Sequence, residues 1–201
     1  MVITEFRQIS DGRFFLTLSD GETLKVSLNE TADFSLYTGR ELTEGELEAL
    51  RAAAALNRCR ERALRIISAR PMSERELFDR LVEKGETEQN AACTVAWLLE
   101  LHFLNDADYA AMLVRRCAAK GYGARRARDE LYRRKVPKEL WDGALEALPE
   151  ADETLDRLLR ARLRGASPDD RDAMRRASGA LLRRGYSWDE IKAAAERLRE
   201  E

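Results

Sequence analysis

A helical pattern that returns every fifty residues constrains this chain more than any other feature. Leu77-Phe78-Asp79-Arg80-Leu81-Val82-Glu83-Lys84-Gly85 recurs as Ala127-Arg128-Asp129-Glu130-Leu131-Tyr132-Arg133-Arg134-Lys135, and again as Ala177-Ser178-Gly179-Ala180-Leu181-Leu182-Arg183-Arg184-Gly185. The register holds on both sides: Ala63, Leu113 and Leu163 precede it in step, Val95, Leu145 and Ala195 follow, and so do Leu98, Leu148 and Leu198. A fixed period means one supersecondary unit used three times. Each copy reads as three helices. The first helices carry Ala63 and Ile67, then Tyr109, Leu113 and Cys117, then Leu155, Leu159 and Leu163; the second begin at Ser73, near Gly123 and near Ser167-Pro168; the third begin at Thr87, Pro137 and Ser187. Ser73 with Glu76 and Ser187 with Glu190 form S-x-x-E capping boxes, and Pro137 and Pro168 suit a first helical turn. Gly85 and Gly185 suit left-handed helix ends; Lys135 stands there in the middle copy, so that end must be built differently or carry strain.

Ahead of the repeats lie three short alternating runs, Val2 to Ile9, Arg13 to Ser19 and Thr23 to Leu28, separated by Asp11-Gly12 and Asp20-Gly21. Asp-Gly between alternating runs marks a tight hairpin, because both turn residues tolerate positive φ. The pattern predicts an antiparallel meander with Ile3, Phe15 and Leu24 or their neighbours on one face, and so small a sheet needs a partner to bury that face. Thr43 with Glu46 starts a helix through Leu47, Leu50 and Ala54; a long helix carrying Ala63, Leu64 and Ile67 stops at Arg70-Pro71. The predicted fold is mainly α: a small β-meander with a linking helix over 1–57, then three tandem three-helix repeats over 58–104, 105–148 and 149–201.

Composition excludes several classes. At 201 residues, 44% hydrophobic and 36% charged, the chain can bury a core and is not disordered. A net charge of -2 rules out a globally basic nucleic-acid coat protein, so any basic surface is local. No apolar run approaches a membrane span, and MVITEFRQIS lacks a signal core, which makes the cytoplasm the expected location. Cys59, Cys93 and Cys117 read as small buried residues in a reducing compartment, and with one histidine no zinc site or other cofactor is expected. No nucleophile, P-loop or zincin motif argues for an enzyme. His102, between Leu101 and Phe103, reads as a packed or capping residue; Asp106 and Asp108 read as caps of the helix through Tyr109, and Asp169 and Asp170 as caps of the helix after Pro168.

Charge is unevenly placed. Residues 1–57 hold five basic and ten acidic residues, 58–148 hold 18 and 15, and 149–201 hold 12 and 12. Within 115–135, nine cations (Arg115, Arg116, Lys120, Arg125, Arg126, Arg128, Arg133, Arg134 and Lys135) face two acids, Asp129 and Glu130, and no acid occurs from 109 to 128. This is an electrostatic footprint for phosphate, where the planar arginine fork meets oxygens in pairs, and Tyr122 and Tyr132 within it suit base stacking. A plainer reading is a solvated helix laced by Arg125–Asp129 and Arg126–Glu130 at i,i+4. Trp97, Trp141 and Trp188 read as packing residues of the third helices, with base stacking the alternative.

The run from Ala63 to Gly85, with Leu104-Asn105-Asp106-Ala107-Asp108-Tyr109-Ala110-Ala111, Lys120-Gly121-Tyr122-Gly123 and Glu130-Leu131, resembles the RecX family, bacterial modulators of the RecA recombinase. The similarity covers about residues 58 to 148 and is weaker over 149–201, where the repeat register carries it. The resemblance implies tandem three-helix units that bind RecA filaments on single-stranded DNA within their groove. It implies modulation, usually inhibition, of ATP hydrolysis, strand exchange and stimulated LexA cleavage. Weak binding to single-stranded DNA alone, a monomer and no membrane partner are expected with it. An independent helix-turn-helix type DNA-binding protein is the alternative that three-helix units leave open.

Overall fold

The computed structural model describes residues 1–148 and 151–200. The opening alternation forms a three-stranded antiparallel sheet, β1 (Ile3–Ser10), β2 (Arg13–Leu18) and β3 (Thr23–Ser27), in the order β1-β2-β3. Gly12 and Gly21 turn the chain at φ 68° and 88°. Ile3, Leu16, Leu18 and Val26 are buried, with Phe6, Phe14 and Leu24 packed beside them. Phe15 does not share this face as expected. Phe14-Phe15-Leu16 is a continuous apolar run in which alternation alone cannot choose a side, and the register sets Leu16 opposite Leu24 and Phe14 opposite Val26. Phe15 therefore points to the other face, where the Arg7 guanidinium lies 5.5 Å from its ring centre.

The sheet packs against α1 (Leu28–Asp33) and α2 (Glu44–Ala69). The Thr43–Glu46 box closes at 3.2 Å and 2.8 Å and starts α2, which then runs unbroken for 26 residues. The expected linking helix and first repeat helix are thus one element. Its first half buries Leu47, Leu50 and Ala54 against the sheet, and its second half buries Cys59 and Ala63.

The repeats follow as α3 (Glu74–Glu83) and α4 (Glu88–Glu100); α5 (Asp106–Ala119), α6 (Ala124–Arg133), a 3-10 turn (Lys138–Leu140) and α7 (Trp141–Leu145); and α8 (Ala151–Leu163), α9 (Arg171–Arg183) and α10 (Trp188–Glu200). The third helix of the middle repeat is the short one. Thr87 and Ser187 accept the Asn90 and Glu190 amides at 3.2 Å and give thirteen-residue helices, whereas Pro137 has no side-chain acceptor. Trp141 instead ties the short helix back, its indole N–H donating to the Val136 carbonyl at 3.0 Å. Trp97 is half-buried with Arg60 4.9 Å above its ring, but Trp188, at the outer start of α10, is 57% exposed rather than packed.

The described residues form two compact bodies, 1–70 with 77–101, and 71–76 with 102–201. In the second, Tyr109, Leu113, Val114 and Leu131 centre one core and Leu155, Leu159, Leu181 and Ile191 another. Cys59 and Cys117 are buried as expected, but Cys93 is exposed on α4. His102 is exposed, not packed; it takes φ 57° directly after Leu101, the C-cap of α4, which is the left-handed place that closes a helix end. No helix among the described residues is long and apolar enough to cross a membrane.

The second helix of each repeat ends in the same left-handed residue: Gly85 at φ 86°, Lys135 at φ 55° and Gly185 at φ 92°. The middle copy keeps the geometry and carries the strain. A side chain in this region costs about 1–2 kcal/mol, while glycine adds about 0.5–1 kcal/mol of unfolded-state entropy. The steric cost is the larger, so Lys135→Gly should raise the urea midpoint by the equivalent of about 0.5–1 kcal/mol, with unchanged slope. A lowered midpoint would contradict this.

Candidate polyanion-binding surface

The basic segment occupies one continuous stretch of α5, its exit turn and α6. Only Ala127 and Leu131 of α6 are buried, so its arginines are driven to the outside. Arg115, Arg116, Lys120, Arg125, Arg126, Arg128, Arg133 and Lys135 are exposed, and Arg134 is half-buried.

The i,i+4 lacing expected from the sequence falls on different partners. Glu130 takes both Arg133 and Arg134, the latter at 3.0 Å, and Arg134 also reaches Glu76 at 3.5 Å. An acid N-terminal to its base is the favoured helical orientation, so Glu130 engages the arginines after it and leaves Arg126 alone. Among the described residues, Arg115, Arg116, Lys120, Arg125, Arg126 and Arg128 have no carboxylate partner. The solvated-salt-bridge reading thus accounts for Arg133 and Arg134 but not for the other six. Cys117 lies buried beneath them. Burial pushes its thiol above the ordinary range, although Lys120, Arg126, Arg116 and Arg133 all pull it down.

The two tyrosines part company. Tyr132 is 71% exposed, an open ring on the outer face of α6. Tyr122 is half-buried, with the guanidinium carbons of Arg126 and Arg184 at 5.8 Å and 5.9 Å from its ring centre. Arg184 belongs to the third repeat and was missed in the sequence. Its Nη1 donates to the Lys120 and Gly121 carbonyls at 3.1 Å and 3.3 Å. The repeat register held the clue, since Arg184 is the counterpart of Arg134 fifty residues on.

Both ends of α6 are fixed by one contact used twice. At its C-terminal end, the Ser73 hydroxyl donates to the Arg134 carbonyl at 2.6 Å while accepting the Glu76 amide at 3.2 Å. At its N-terminal end, fifty residues on, the Gly123 amide donates to the Arg184 carbonyl at 3.0 Å and the Arg125 amide to the Gly185 carbonyl at 3.1 Å. The second contact is a backbone crossing. A Cβ on Gly123 would sit 2.6 Å from the Gly185 oxygen, and one on Gly185 would sit 2.4 Å from the Arg126 nitrogen. Only glycine fits either place. Asp106 also serves this framework. It was expected to cap its own helix, but Asn105 does so, accepting the Ala107 and Asp108 amides at 3.0 Å and 3.1 Å. Asp106 instead accepts the Glu74 amide at 2.9 Å and caps α3. Asp170 caps α9 as expected, accepting the Asp172 and Ala173 amides at 3.0 Å, whereas Asp169 pairs with Arg199 at 2.9 Å.

Fold and surface together define a class: a tandem three-helix repeat protein with one acid-poor, arginine-bearing face and, among the described residues, no cluster able to hold a metal ion. Comparison with known proteins narrows this. Family models for the first, second and third three-helix domains of RecX match residues 59–98, 105–145 and 150–194. The regulatory protein RecX of Vibrio campbellii is 30% identical over 136 residues, covering 67% of this chain and 88% of that one. The regulatory protein RecX of Stenotrophomonas maltophilia is 34% identical over 136 residues, covering 67% and 83%. A crystal structure of regulatory protein RecX superposes with a TM-score of 0.77 at 22% identity over 100% of this chain and 99% of the other. RecX from Lactobacillus salivarius gives 0.68 at 20% identity over 73% and 98%. This chain belongs to the RecX family.

The α3 cap carries a charge that burial disfavours. Asp106 is buried with Oδ2 unpartnered, and burial holds its carboxyl above the usual range despite the Glu74 amide; burial and the Asp106 charge raise Glu74 as well. A carboxyl whose folded pKa exceeds its unfolded value binds its proton first in the folded state. Its destabilisation is therefore absent below the ordinary carboxylate pKa and grows as pH rises through the interval up to the raised one. Asp106→Asn keeps the acceptor and removes the charge. The stability of the variant relative to the parent, from urea unfolding across the carboxylate range, should fall as pH is lowered. A pH-independent difference would refute the assignment.

Proposed function

We propose that this chain regulates the RecA recombinase, binding RecA filaments on single-stranded DNA within their groove and inhibiting them. Membership of the RecX family supports the regulatory role, and one observation supports the mode: six cations on α5, its exit turn and α6 stand outward without carboxylate partners among the described residues. Such a face attracts phosphate or an acidic protein wall, and a nucleoprotein filament offers both. Residues 105–148 make the principal contact with DNA phosphates or acidic RecA surface, through Arg115, Arg116, Lys120, Arg125, Arg126, Tyr132, Arg133 and Lys135. Arg134 and Tyr122 act one step back, holding α6 in place. The excess of acid in residues 1–57 suits contact with basic protein surface. The protein performs no chemistry of its own. It acts in the cytoplasm as a monomer and holds bare single-stranded DNA only weakly.

Several modest contacts across neighbouring RecA subunits give avidity without any strong single one. To alter the filament's activity, the bound protein must prefer one filament state, because a ligand shifts an equilibrium only by its differential affinity. The test is RecA-dependent ATP hydrolysis on single-stranded DNA. Replacing Arg115, Arg116 and Arg125 with alanine removes three charges and, among the described residues, no ion pair. At about 0.5 kcal/mol each, the concentration for half-inhibition should rise roughly tenfold. Unchanged inhibition would move the contact elsewhere, and sequence-specific duplex binding without RecA would favour the independent DNA-binding alternative.

A further inference from the structure

The arginines of α6 have a duplicate. Arg125-Arg126 and Arg133-Arg134 recur, fifty residues on, as Arg175-Arg176 and Arg183-Arg184 on α9 and its C-cap. Equal register on equivalent helices places each pair on the same helical face. The first repeat breaks the set, with Arg75, Glu76, Glu83 and Lys84 at those places. From Ala173 to Trp188 the chain has no acid, as it has none from Tyr109 to Arg128. A count over 149–201 hides this, because the acids of that segment lie on either side of the run.

The fold joins these two acid-free segments. The Gly123–Gly185 crossing sets the N-terminal end of α6 on the C-terminal turn of α9, with Arg126 and Arg184 gathered around Tyr122 at the join and Arg184 donating to the Lys120 carbonyl. Arg175, Arg176 and Arg183 are exposed. Arg175 pairs with the exposed Asp172 at 2.9 Å, and among the described residues Arg176 and Arg183 pair with no carboxylate.

We propose that α9 carries a second copy of the anion-binding face, and that a single-stranded nucleic-acid backbone runs from α6 onto α9 across this join. The proposal rests on the reading of the α5–α6 face as a filament contact and extends it to phosphate and to the third repeat. Phosphate is favoured over an acidic protein because exposed arginines continue over two successive repeats, as a backbone that carries a charge at every nucleotide requires. Between Arg115 and Arg128, and between Arg175 and Arg184, no acid interrupts the cations in sequence. Binding along such a track releases counterions, so it is read in the salt dependence.

The test uses the full chain and fluorescein-labelled oligothymidylate, with affinity measured against sodium chloride concentration. Arg176→Ala with Arg183→Ala should lower the magnitude of the log–log salt slope by about 1.4, roughly 0.7 per lost phosphate contact. Arg126→Ala with Arg133→Ala, the same positions one repeat earlier, should lower it equally. If the α9 pair leaves the slope unchanged while the α6 pair lowers it, the extension is wrong and the α6 contact stands. If only the α9 pair lowers it, there is no continuous track. If neither does, but both weaken inhibition of RecA, the arginines meet protein and the nucleic-acid assignment fails. If neither changes slope or inhibition, the underlying reading fails with it. A second measurement on the unaltered chain guards against misfolded variants. Bound oligothymidylate should slow phenylglyoxal modification of Arg176 and Arg183, followed by peptide mass spectrometry, and undiminished modification overturns the proposal.

Discussion

The backbone crossing of Gly123 and Gly185 is the contact on which the candidate surface depends. A helix leaves its first amides without intrahelical acceptors, and α6 begins at a glycine with no side chain to cap them. The next repeat supplies the acceptors: the Arg184 and Gly185 carbonyls, themselves at the end of α9, take the Gly123 and Arg125 amides. Each helix end satisfies the other, and the positive end of α6 meets the negative end of α9. Fifty residues earlier the Ser73 hydroxyl reaches the Arg134 carbonyl at the equivalent place. Repetition in sequence therefore produces repetition in contact, which an apolar seam alone would not specify so closely.

That framework decides where charge can be neutralised. Towards the C-terminal end of α6, Glu130 and Glu76 hold Arg134, and Asp106 caps α3. At the N-terminal end the Arg126 and Arg184 guanidinium groups collect around Tyr122. Membership of the RecX family and an outward, acid-poor face come from different observations, one from sequence similarity and the other from geometry.

Much of this was legible in the sequence. The fifty-residue register located the second helices, Asp-Gly marked both hairpins, and the glycines at 85 and 185 announced the left-handed ends that Lys135 shares. What escaped was whatever depended on a partner distant in the chain. Phe14, Phe15 and Leu16 are all apolar, so only strand register could assign their faces. Asp106 looked like a local cap because it opens a helix, yet its partner is Glu74. Arg125 and Arg126 had acids at ideal helical spacing, but Glu130 is engaged by Arg133 and Arg134. Arg184 lay outside the basic segment by sequence and inside it by contact.

Native-state hydrogen exchange at the Gly123 and Arg125 amides tests the central contact most directly. The first amides of an uncapped helix ordinarily exchange at fraying rates. If the Arg184 and Gly185 carbonyls hold them, both should be protected to nearly the level of Leu131 in the core, and Gly185→Ala should abolish that protection while leaving the Leu131 amide slow. Fast exchange of both amides in the unaltered protein would contradict the account.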